Sequence, residues 1–273
     1  MQFELIPLRL DFVAENAIHF PPGKAANILR GAFGMALRRV AEGRYAGIFQ
    51  PRTDGGPSGI SDAPRPFVFR ARHLDGLTAM PKQPFHFWVH LFTLDPQARD
   101  AVAAAFTEAA REGFGTGRGK AELTAISGIP TSVDLAPREE PPERIRVEFL
   151  SPTELKYQER VVDRPEFPIL LARCRDRVGT LRALYGAGPL AIDFAGLGER
   201  AAAVRMTRCE LRTVEVERRS SRTGQSHSIG GFTGTAEYEG DLGEFLPYLE
   251  AAHWTGVGRQ AVWGKGEIAV SRA

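Results

Sequence analysis

Glycine alternates with Arg and Lys in the stretch GVGRQAVWGKG, residues 256–266, near the end of the chain, and again in GFGTGRGK, residues 113–120. Each stretch follows an alternating strand pattern, an Asp (Asp95 or Asp241) and a helical pattern, and each precedes a further strand pattern. A repeated order of strand, helix, glycine loop and strand predicts an internal duplication. Because glycine has no side chain, such a loop can approach a phosphate chain closely, and its Arg and Lys supply charge. The pattern therefore favours nucleic acid over a small-molecule ligand.

The remaining elements fit the same arrangement in both halves. In the first half we predict strands over residues 3–13, 85–94 and 121–126 and helices over 24–41 and 95–112, with Asp95 as N-cap. In the second half we predict strands over 144–150, 205–217, 229–238 and 267–270 and helices over 165–185 and 241–252. We also predict a turn at 151–153, a bulge near Arg212 and an Asp241 cap. Residues 51–66 are predicted to form a surface loop.

Residues 136–143, rich in Pro and Glu, are the best linker in the chain. We therefore predict two domains, residues 1–137 and 144–273. Each half approximates β-α-β-β-α-β, which predicts an α+β protein of tandem ferredoxin-like (RRM-like) domains with a C-terminal glycine-rich loop.

Composition narrows the functional classes. The net charge is only +2, so positive charge is local, as in the segment from Lys24 to Arg44 and in the cluster Arg218, Arg219 and Arg222. The two cysteines, Cys174 and Cys209, have no metal-type spacing and suit a reducing compartment, and the chain shows no signal peptide or membrane span. We therefore expect a cytoplasmic protein.

Several familiar sites are absent from the sequence. Both glycine stretches follow a helix and precede a strand, the reverse of a dinucleotide-binding turn. His86 and His90 lie on one strand about 13 Å apart, at roughly 3.3 Å per residue, too far to share one metal ion without a bulge. Trp88 between them could stack a nucleotide base, although packing against the second domain is the alternative we favour. We predict neither a metal nor a cofactor.

Six segments together resemble the CRISPR-associated endoribonucleases of the RAMP superfamily that cut precursor CRISPR RNA within its repeats. They are LRGAFG (29–34), FLSPT (149–153), RALYG (182–186), IGGFTG (229–234), YEGDL (238–242) and the glycine-rich stretch 256–266. The resemblance implies metal-independent cleavage of repeat RNA by its own 2′-hydroxyl, leaving a cyclic phosphate. Many such proteins carry a His directly after the Phe-Gly pair of the first helix, where this chain has Met35.

Candidate catalytic residues are those near the first helix that can exchange protons or hold a phosphate: His19, Lys24 and Tyr45. The candidate RNA-binding residues are Arg30, Arg218, Arg219, Arg222, His227, Gly256, Gly258, Arg259, Gly264, Lys265 and Gly266. Each has a structural alternative: His19 and His227 as ordinary surface residues, Lys24 as a solvated lysine, Tyr45 as a packing residue and Arg30 as an inter-domain ion pair.

The expected partner is CRISPR repeat RNA, as a stem-loop or a single strand. Other CRISPR effector subunits and a second copy of the chain stay open as protein partners. The first alternative function is a non-catalytic RNA-binding subunit of an effector complex, which Met35 favours. A second is an unrelated ferredoxin-like metabolic enzyme, which would need an acidic or metal-binding cluster between the domains.

Overall fold

A computed structural model of the chain describes residues 1–52, 63–215, 217–219, 226–228 and 230–273, with backbone alone for 217–219 and 226–228. The predicted surface loop 51–66 lies largely outside this part. The N-terminal half contains β1 (Gln2–Ala14), β2 (Ile18–His19), α1 (Ala25–Val40), α2 (Glu42–Phe49), β3 (Phe67–Arg70), β4 (Thr78–Ala79), β5 (Pro84–Leu91), α3 (Pro96–Glu112), β6 (Ala121–Ser127) and β7 (Thr131–Asp134). A 3₁₀ turn, Arg72–Leu74, follows β3.

The first sheet has the order β3-β5-β1-β6, with every neighbour antiparallel and β7 pairing with the start of β1. On β5 the predicted alternation is present, since Phe85, Phe87, Val89 and Leu91 are buried. Phe87 and Phe33 of α1 both pack on Phe106 of α3. The two helices therefore cover one face of the sheet.

The C-terminal half repeats this plan. It contains β8 (Arg144–Thr153), β9 (Leu155–Tyr157), β10 (Arg160–Val162), α4 (Phe167–Tyr185), α5 (Phe194–Ala201), β11 (Arg205–Val214), β12 (Glu217–Arg219), β13 (Ser226–Ser228), β14 (Gly231–Glu239), α6 (Leu246–Thr255) and β15 (Ile268–Arg272). Its main sheet has the order β11-β14-β8-β15. Both halves thus have the order second, third, first and fourth strand, and the tandem ferredoxin-like prediction is confirmed.

The two halves share part of their apolar core. Phe3 and Leu5 of β1 and Val68 of β3 are buried in the same cluster as Val147 of β8 and Leu249 of α6. The segment 136–143 has no helix or strand, as predicted, yet it is fixed to the second half. Arg138 donates its backbone N–H to the Gly243 carbonyl and pairs with Glu250 at 2.5 Å. The two sheets are therefore joined by apolar contacts as well as by this segment.

Two predictions about the strands of the second half are wrong. Strand β8 continues through Pro152 to Thr153, because Thr153 pairs with Phe232, and the Pro152 carbonyl accepts a hydrogen bond from Gly266 N–H. The register shift of β11 lies between Met206 and Arg208 rather than near Arg212. A bulge is placed by cross-strand pairing, which the alternation of one strand does not record.

The two matching Asp residues also differ. The Asp95 carboxylate accepts a hydrogen bond from Gln97 N–H, with Pro96 in the first turn of α3, as predicted. Asp241 instead accepts one from Gly243 N–H in a turn, and α6 begins only at Leu246 without a side-chain cap. The sequence patterns also missed the edge strand β3 of the first sheet, the short strands β2, β4, β7, β9 and β10, and helices α2 and α5. In the described part of the chain, no helix is long and apolar enough to cross a membrane.

Candidate nucleic-acid interface

The second glycine-rich loop, residues 256–266, joins α6 to β15 and has a backbone that only glycine fits. Gly256, Gly258, Gly264 and Gly266 all have φ between 68° and 77°. A Cβ on Gly258 would collide with the Glu154 carbonyl, and one on Gly264 would lie 2.7 Å from the Ala26 Cβ in α1. These glycines therefore allow the loop to lie between β8 and the start of α1.

Backbone N–H groups of this loop donate hydrogen bonds to carbonyl groups of the protein. Val257 N–H donates to the Gly266 carbonyl, Arg259 N–H to Glu154, and Gly266 N–H to Pro152. Trp263 and Gly264 donate within the 3₁₀ turn Ala261–Trp263. These amides therefore hold the loop in place, so the positive charge that the loop offers to a phosphate must come from its side chains.

A cleft of about 220 Å³ opens between the loop and the start of α1. Its walls come from both halves of the chain: the loop, the approach to α1, the 3₁₀ turn after β3, and the ends of β8, β11 and β14. The lining side chains with charge or hydrogen-bonding capacity are Arg72, Asp75, Ser151, Arg212, Thr233, Trp263 and Lys265. Three of these are basic and one is acidic, so the cleft favours an anionic ligand.

Lys265 is the least exposed charged group of the cleft, at 4%. Burial lowers the pKa of Lys265 below its ordinary value, although the nearby Asp75 carboxylate acts in the opposite direction. Burial also raises the pKa of Asp75, which accepts a hydrogen bond from Ala25 N–H at 2.9 Å. Asp75 thereby caps α1 in place of Lys24, which provides no side-chain cap. A poorly hydrated lysine of this kind interacts strongly with a phosphate that displaces water.

Three side chains, two of them buried (Arg70 and His90) and one half-buried (Arg177), hold the helix end that leads into the loop. Arg70 donates to the carbonyls of His253 and Trp254, at 3.0 Å each. The Nδ1 of His90 lies 2.9 Å from the Trp254 carbonyl. Arg177 of α4 donates to the Thr255 carbonyl at 2.9 Å. We call these residues, Arg70, His90 and Arg177, the α6 clamp.

Two members of the clamp come from the first sheet, on β3 and β5. Burial lowers the pKa of His90 to about 3, so its ring is neutral at physiological pH. A neutral imidazole can still donate through Nδ1 while adding no charge beside the buried Arg70. The first half thus fixes where the glycine-rich loop begins.

The predicted catalytic residues are only partly brought together. His19 lies on the approach to α1, where its Nδ1 is 2.9 Å from the Thr78 hydroxyl, and Lys24 immediately precedes the helix; both are exposed. Tyr45 lies on α2 beyond the other end of α1, stacked on Phe49. Since α1 has 16 residues, it separates Tyr45 from Lys24 by about 24 Å. One phosphate cannot contact both.

The predicted RNA-binding residues have varied surroundings. The Arg30 guanidinium lies 4.7 Å from the ring centre of Phe49 and 5.2 Å from that of Trp263, bridging α1 to the loop. Arg259 is exposed and pairs with Glu154 at 2.6 Å. Arg218 and Arg219 lie on β12 and His227 on β13, which pair with each other. Their side chains, and Arg222 as a whole, lie outside the described residues.

Arg72, Asp75 and Arg212 line the cleft although no motif predicted them. Arg212 bonds the Thr233 hydroxyl at 3.2 Å. Arg212 stands near the end of a long alternating strand that leads to the basic cluster at 218–222. This position was the one feature of the sequence that could have identified it as a binding residue. No feature of the sequence identified Asp75, because the helix start that it caps, at Ala25, is 50 positions away.

The first glycine-rich loop, residues 113–120, has a different setting. Phe114 and Gly119 pair with each other, and Gly119 packs against the Ala17 carbonyl. A groove between this loop and α1 is lined in part by Met35 and Arg118. Met35 is 58% exposed there. In the part of the chain that the structure describes, no group of three or more His, Cys, Asp or Glu is placed to hold a metal ion.

Comparison with known proteins places this geometry in a family. Residues 3–140 match the family model AF_1859_N, an N-terminal domain, and residues 147–268 match that of the CRISPR-associated endoribonuclease Cas6. A search of curated proteins gave no match.

Solved structures share the fold along the whole chain. A Cas6 product complex is 20% identical with a TM-score of 0.65, covering 98% of this chain and 100% of the other. Thermus thermophilus Cas6 is 18% identical with a TM-score of 0.61, covering 99% of both chains. A RAMP protein binding different RNA substrates is 10% identical with a TM-score of 0.55, covering 98% of this chain and 100% of the other. The chain therefore belongs to the AF_1859_N family through residues 3–140, and its C-terminal half, residues 147–268, matches the family of CRISPR-associated endoribonucleases called Cas6.

Proposed function

We propose that this protein binds CRISPR repeat RNA in the cleft beside the glycine-rich loop and cleaves precursor crRNA without a metal ion. In this reaction a 2′-hydroxyl attacks the adjacent phosphate and leaves a cyclic phosphate. The observation that carries the proposal is the cleft itself, in which buried Lys265 faces the same space as Arg72 and Arg212. Such a set of cations suits the extra negative charge of a pentacovalent phosphorane.

The reaction needs a group that accepts the 2′-hydroxyl proton and one that returns a proton to the leaving 5′-oxygen. The bond from O2′ to phosphorus forms while the bond from phosphorus to O5′ breaks. One proton leaves O2′ and one is added to O5′, so the proton count balances. His19 is the described histidine nearest in sequence to the α1 end of the cleft. Thr78 engages its Nδ1, which leaves Nε2 as the atom for proton transfer.

The cationic side chains have a different role. Lys265 is 4% exposed and lies between the tightly packed Gly264 and Gly266, so its charge is in place before RNA arrives. Lys24, at the exposed start of α1, is placed to contact a phosphate at the helix N-terminus, where the helix dipole adds positive potential. Tyr45 has no part in this proposal because α1 separates it from Lys24.

The second candidate function is a non-catalytic RNA-binding subunit of a CRISPR effector complex. The specific observation in its favour is Met35, an exposed side chain in the groove beside the first glycine-rich loop. Methionine can neither accept nor donate a proton at the position where relatives of this type carry His. In this case the same cleft would bind RNA without cleaving it.

The deciding experiment incubates the protein in EDTA with repeat RNA from its own genome, with and without a 2′-deoxy substitution at the cut site. The first proposal predicts cleavage that persists in EDTA and stops with the deoxy RNA. His19→Ala should then lower the cleavage rate by about 10²- to 10⁴-fold with RNA affinity retained, whereas Tyr45→Phe, the control, should change neither. Tight binding without cleavage would establish the second function, and no binding at low salt would exclude both.

A further inference from the structure

The two faces of the first sheet are covered differently. The face carrying Phe85 and Phe87 is covered by α1 and α3, as described above. On the opposite face, β1 and β5 place Arg9 beside Trp88 and Asp11 beside His86 as cross-strand partners. Trp88 and His86 are half-buried and Arg9 is partly exposed. A large aromatic ring thus lies on the solvent side of the two central strands.

Three aromatic rings, those of His73, His86 and Trp88, form a cluster there together with the Arg9 guanidinium. We call these four side chains the Trp88 platform. The His73 ring stacks on His86 with centres 4.9 Å apart, and His86 meets the Trp88 ring edge-on at 4.6 Å. The Arg9 guanidinium lies 5.6 Å from the Trp88 ring centre. His73 is further fixed because its Nε2 lies 2.7 Å from the His86 carbonyl. The platform is therefore ordered before any ligand arrives.

Beside the platform, the second half of the chain covers this face of the sheet. His90, two residues along β5, packs its ring 5.1 Å from that of Trp254. Arg70, the cross-strand partner of Trp88 on β3, is buried against the end of α6. The ring contacts of Trp88, by contrast, are with His73, His86 and Arg9 of its own half. Trp88 thus lies at the border where the inter-domain contact ends.

The platform and the cleft share one turn of the chain. Arg72 lines the cleft, and the next residue, His73, belongs to the platform; both lie in the 3₁₀ turn Arg72–Leu74. The turn that carries Arg72 into the cleft therefore also carries His73 into the platform, which suits an RNA strand that contacts both. Burial also lowers the pKa of His86, so its ring stacks as a neutral group.

We propose that the Trp88 platform is a second RNA subsite, where a single-stranded nucleotide flanking the segment held in the cleft stacks its base on Trp88. Aromatic rings on the central strands of ferredoxin-like sheets bind unpaired bases by stacking, and Arg beside such a ring adds a cation–π contribution. This inference rests on the proposed function for the cleft. It extends the bound RNA beyond the cleft and assigns unpaired RNA to the sheet face.

The test compares binding of a minimal repeat RNA with RNAs extended by unpaired nucleotides at the 5′ or the 3′ end. For one of the extended RNAs, Trp88→Ala should weaken binding by about 5- to 150-fold, the range for loss of one stacked base. Binding of the minimal RNA should stay within about twofold, and Trp88→Phe should restore most of the affinity. The matched control is Phe194→Ala, because the Phe194 ring is accessible and, like Trp88, lies beside an arginine: the Arg175 guanidinium is 4.9 Å from its ring centre.

A second arm separates this subsite from the cleft. A short unstructured RNA carrying 5-iodouridine should crosslink within the β5 peptide, and Trp88→Ala should abolish this crosslink. If the protein fails to bind repeat RNA but gives the β5 crosslink, the proposed function fails and the subsite stands. Equal losses for minimal and extended RNA, no loss for either, or crosslinks only elsewhere would overturn the subsite.

Discussion

The two glycine-rich loops share a residue pattern but differ in their neighbours. The first loop packs within its own half, with Gly119 against the Ala17 carbonyl. The second lies between the halves, with Gly264 against Ala26 of α1 and Gly258 against the Glu154 carbonyl. Glycine is needed in both places for close packing, so the pattern alone does not indicate a ligand.

Their lysines show the functional consequence of this difference. Lys120 of the first loop is exposed, whereas Lys265 of the second is buried in the cleft. The second loop also begins at the end of α6, where the α6 clamp binds the carbonyl groups of residues 253–255. We therefore expect variants of the second loop to affect RNA cleavage or stability, and variants of the first loop to have small effects.

The largest expected difference is between Lys265→Met and Lys120→Met. Loss of the oriented charge in the cleft should lower the cleavage rate by about 10²- to 10³-fold, whereas loss of a solvated lysine should change it only a few-fold. Because burial lowers the pKa of Lys265, its charge opposes folding at neutral pH, and we expect the variant to unfold at no lower temperature. Single-turnover cleavage and thermal unfolding provide the two measurements. Equal rates for both variants would remove the distinction between the loops.

Next in size is the effect of a methyl group on the loop backbone. Gly266→Ala places a Cβ against the Val257 carbonyl at φ 68° and should lower the free energy of unfolding by about 2–4 kcal/mol. Gly117→Ala in the first loop meets no atom within 4 Å and should be nearly neutral. Urea unfolding of both variants measures the difference. A neutral Gly266→Ala would show that the second loop is not tightly held.

The α6 clamp predicts a specific pH dependence. The pKa of His90 is about 3 in the folded protein and near 6.5 when unfolded, so between these values only the unfolded chain binds the proton. The free energy of unfolding should therefore fall as the pH falls from about 6.5, by up to about 1.4 kcal/mol per pH unit. His90→Asn, whose amide can donate to the Trp254 carbonyl, should show a shallower profile. Carboxylates titrate in both proteins, so the difference between the two profiles reports His90, and identical profiles would contradict this prediction.

The smallest expected effects concern the two aspartates that precede the last helix of each half. Asp95→Ala removes a helix cap and should cost about 1 kcal/mol of stability. Asp241→Ala removes a turn contact of 3.3 Å to Gly243 and should cost only a few tenths of a kcal/mol. Urea unfolding of the two variants side by side tests this order. A larger loss for Asp241→Ala would mean that the turn before α6 has a greater role than its single bond indicates.

Local patterns predicted most of the fold. The alternation of Phe85, Phe87, Val89 and Leu91 identified a strand and its buried face, and Asp95-Pro96 identified a helix start. The patterns failed where the decisive contact is distant in sequence. Strand β8 passes through Pro152 because β14 and the glycine-rich loop bond to it there, and the bulge near Thr207 depends on pairing with β14.

The candidate site was less accessible to prediction. Lys265 and Gly264 were identified from their loop, but Asp75, Arg72 and Arg212 belong to the cleft only because three chain segments converge on the start of α1. Tyr45 and Lys24 looked close along the sequence, yet a straight helix lies between them. Roles for His19 and Lys24 stay predictions.

The sequence by itself determined the two βαββαβ units, the positions of both glycine-rich loops and the resemblance to repeat-cutting nucleases. Periodicity, caps and glycine spacing are local properties, and they act the same way wherever the segment lies. Only the tertiary structure decided which loop lines a cleft, which lysine is buried and which face of the first sheet stays open. Those properties depend on how one half packs against the other, and packing joins side chains that no local pattern relates, such as His90 of β5 and the end of α6.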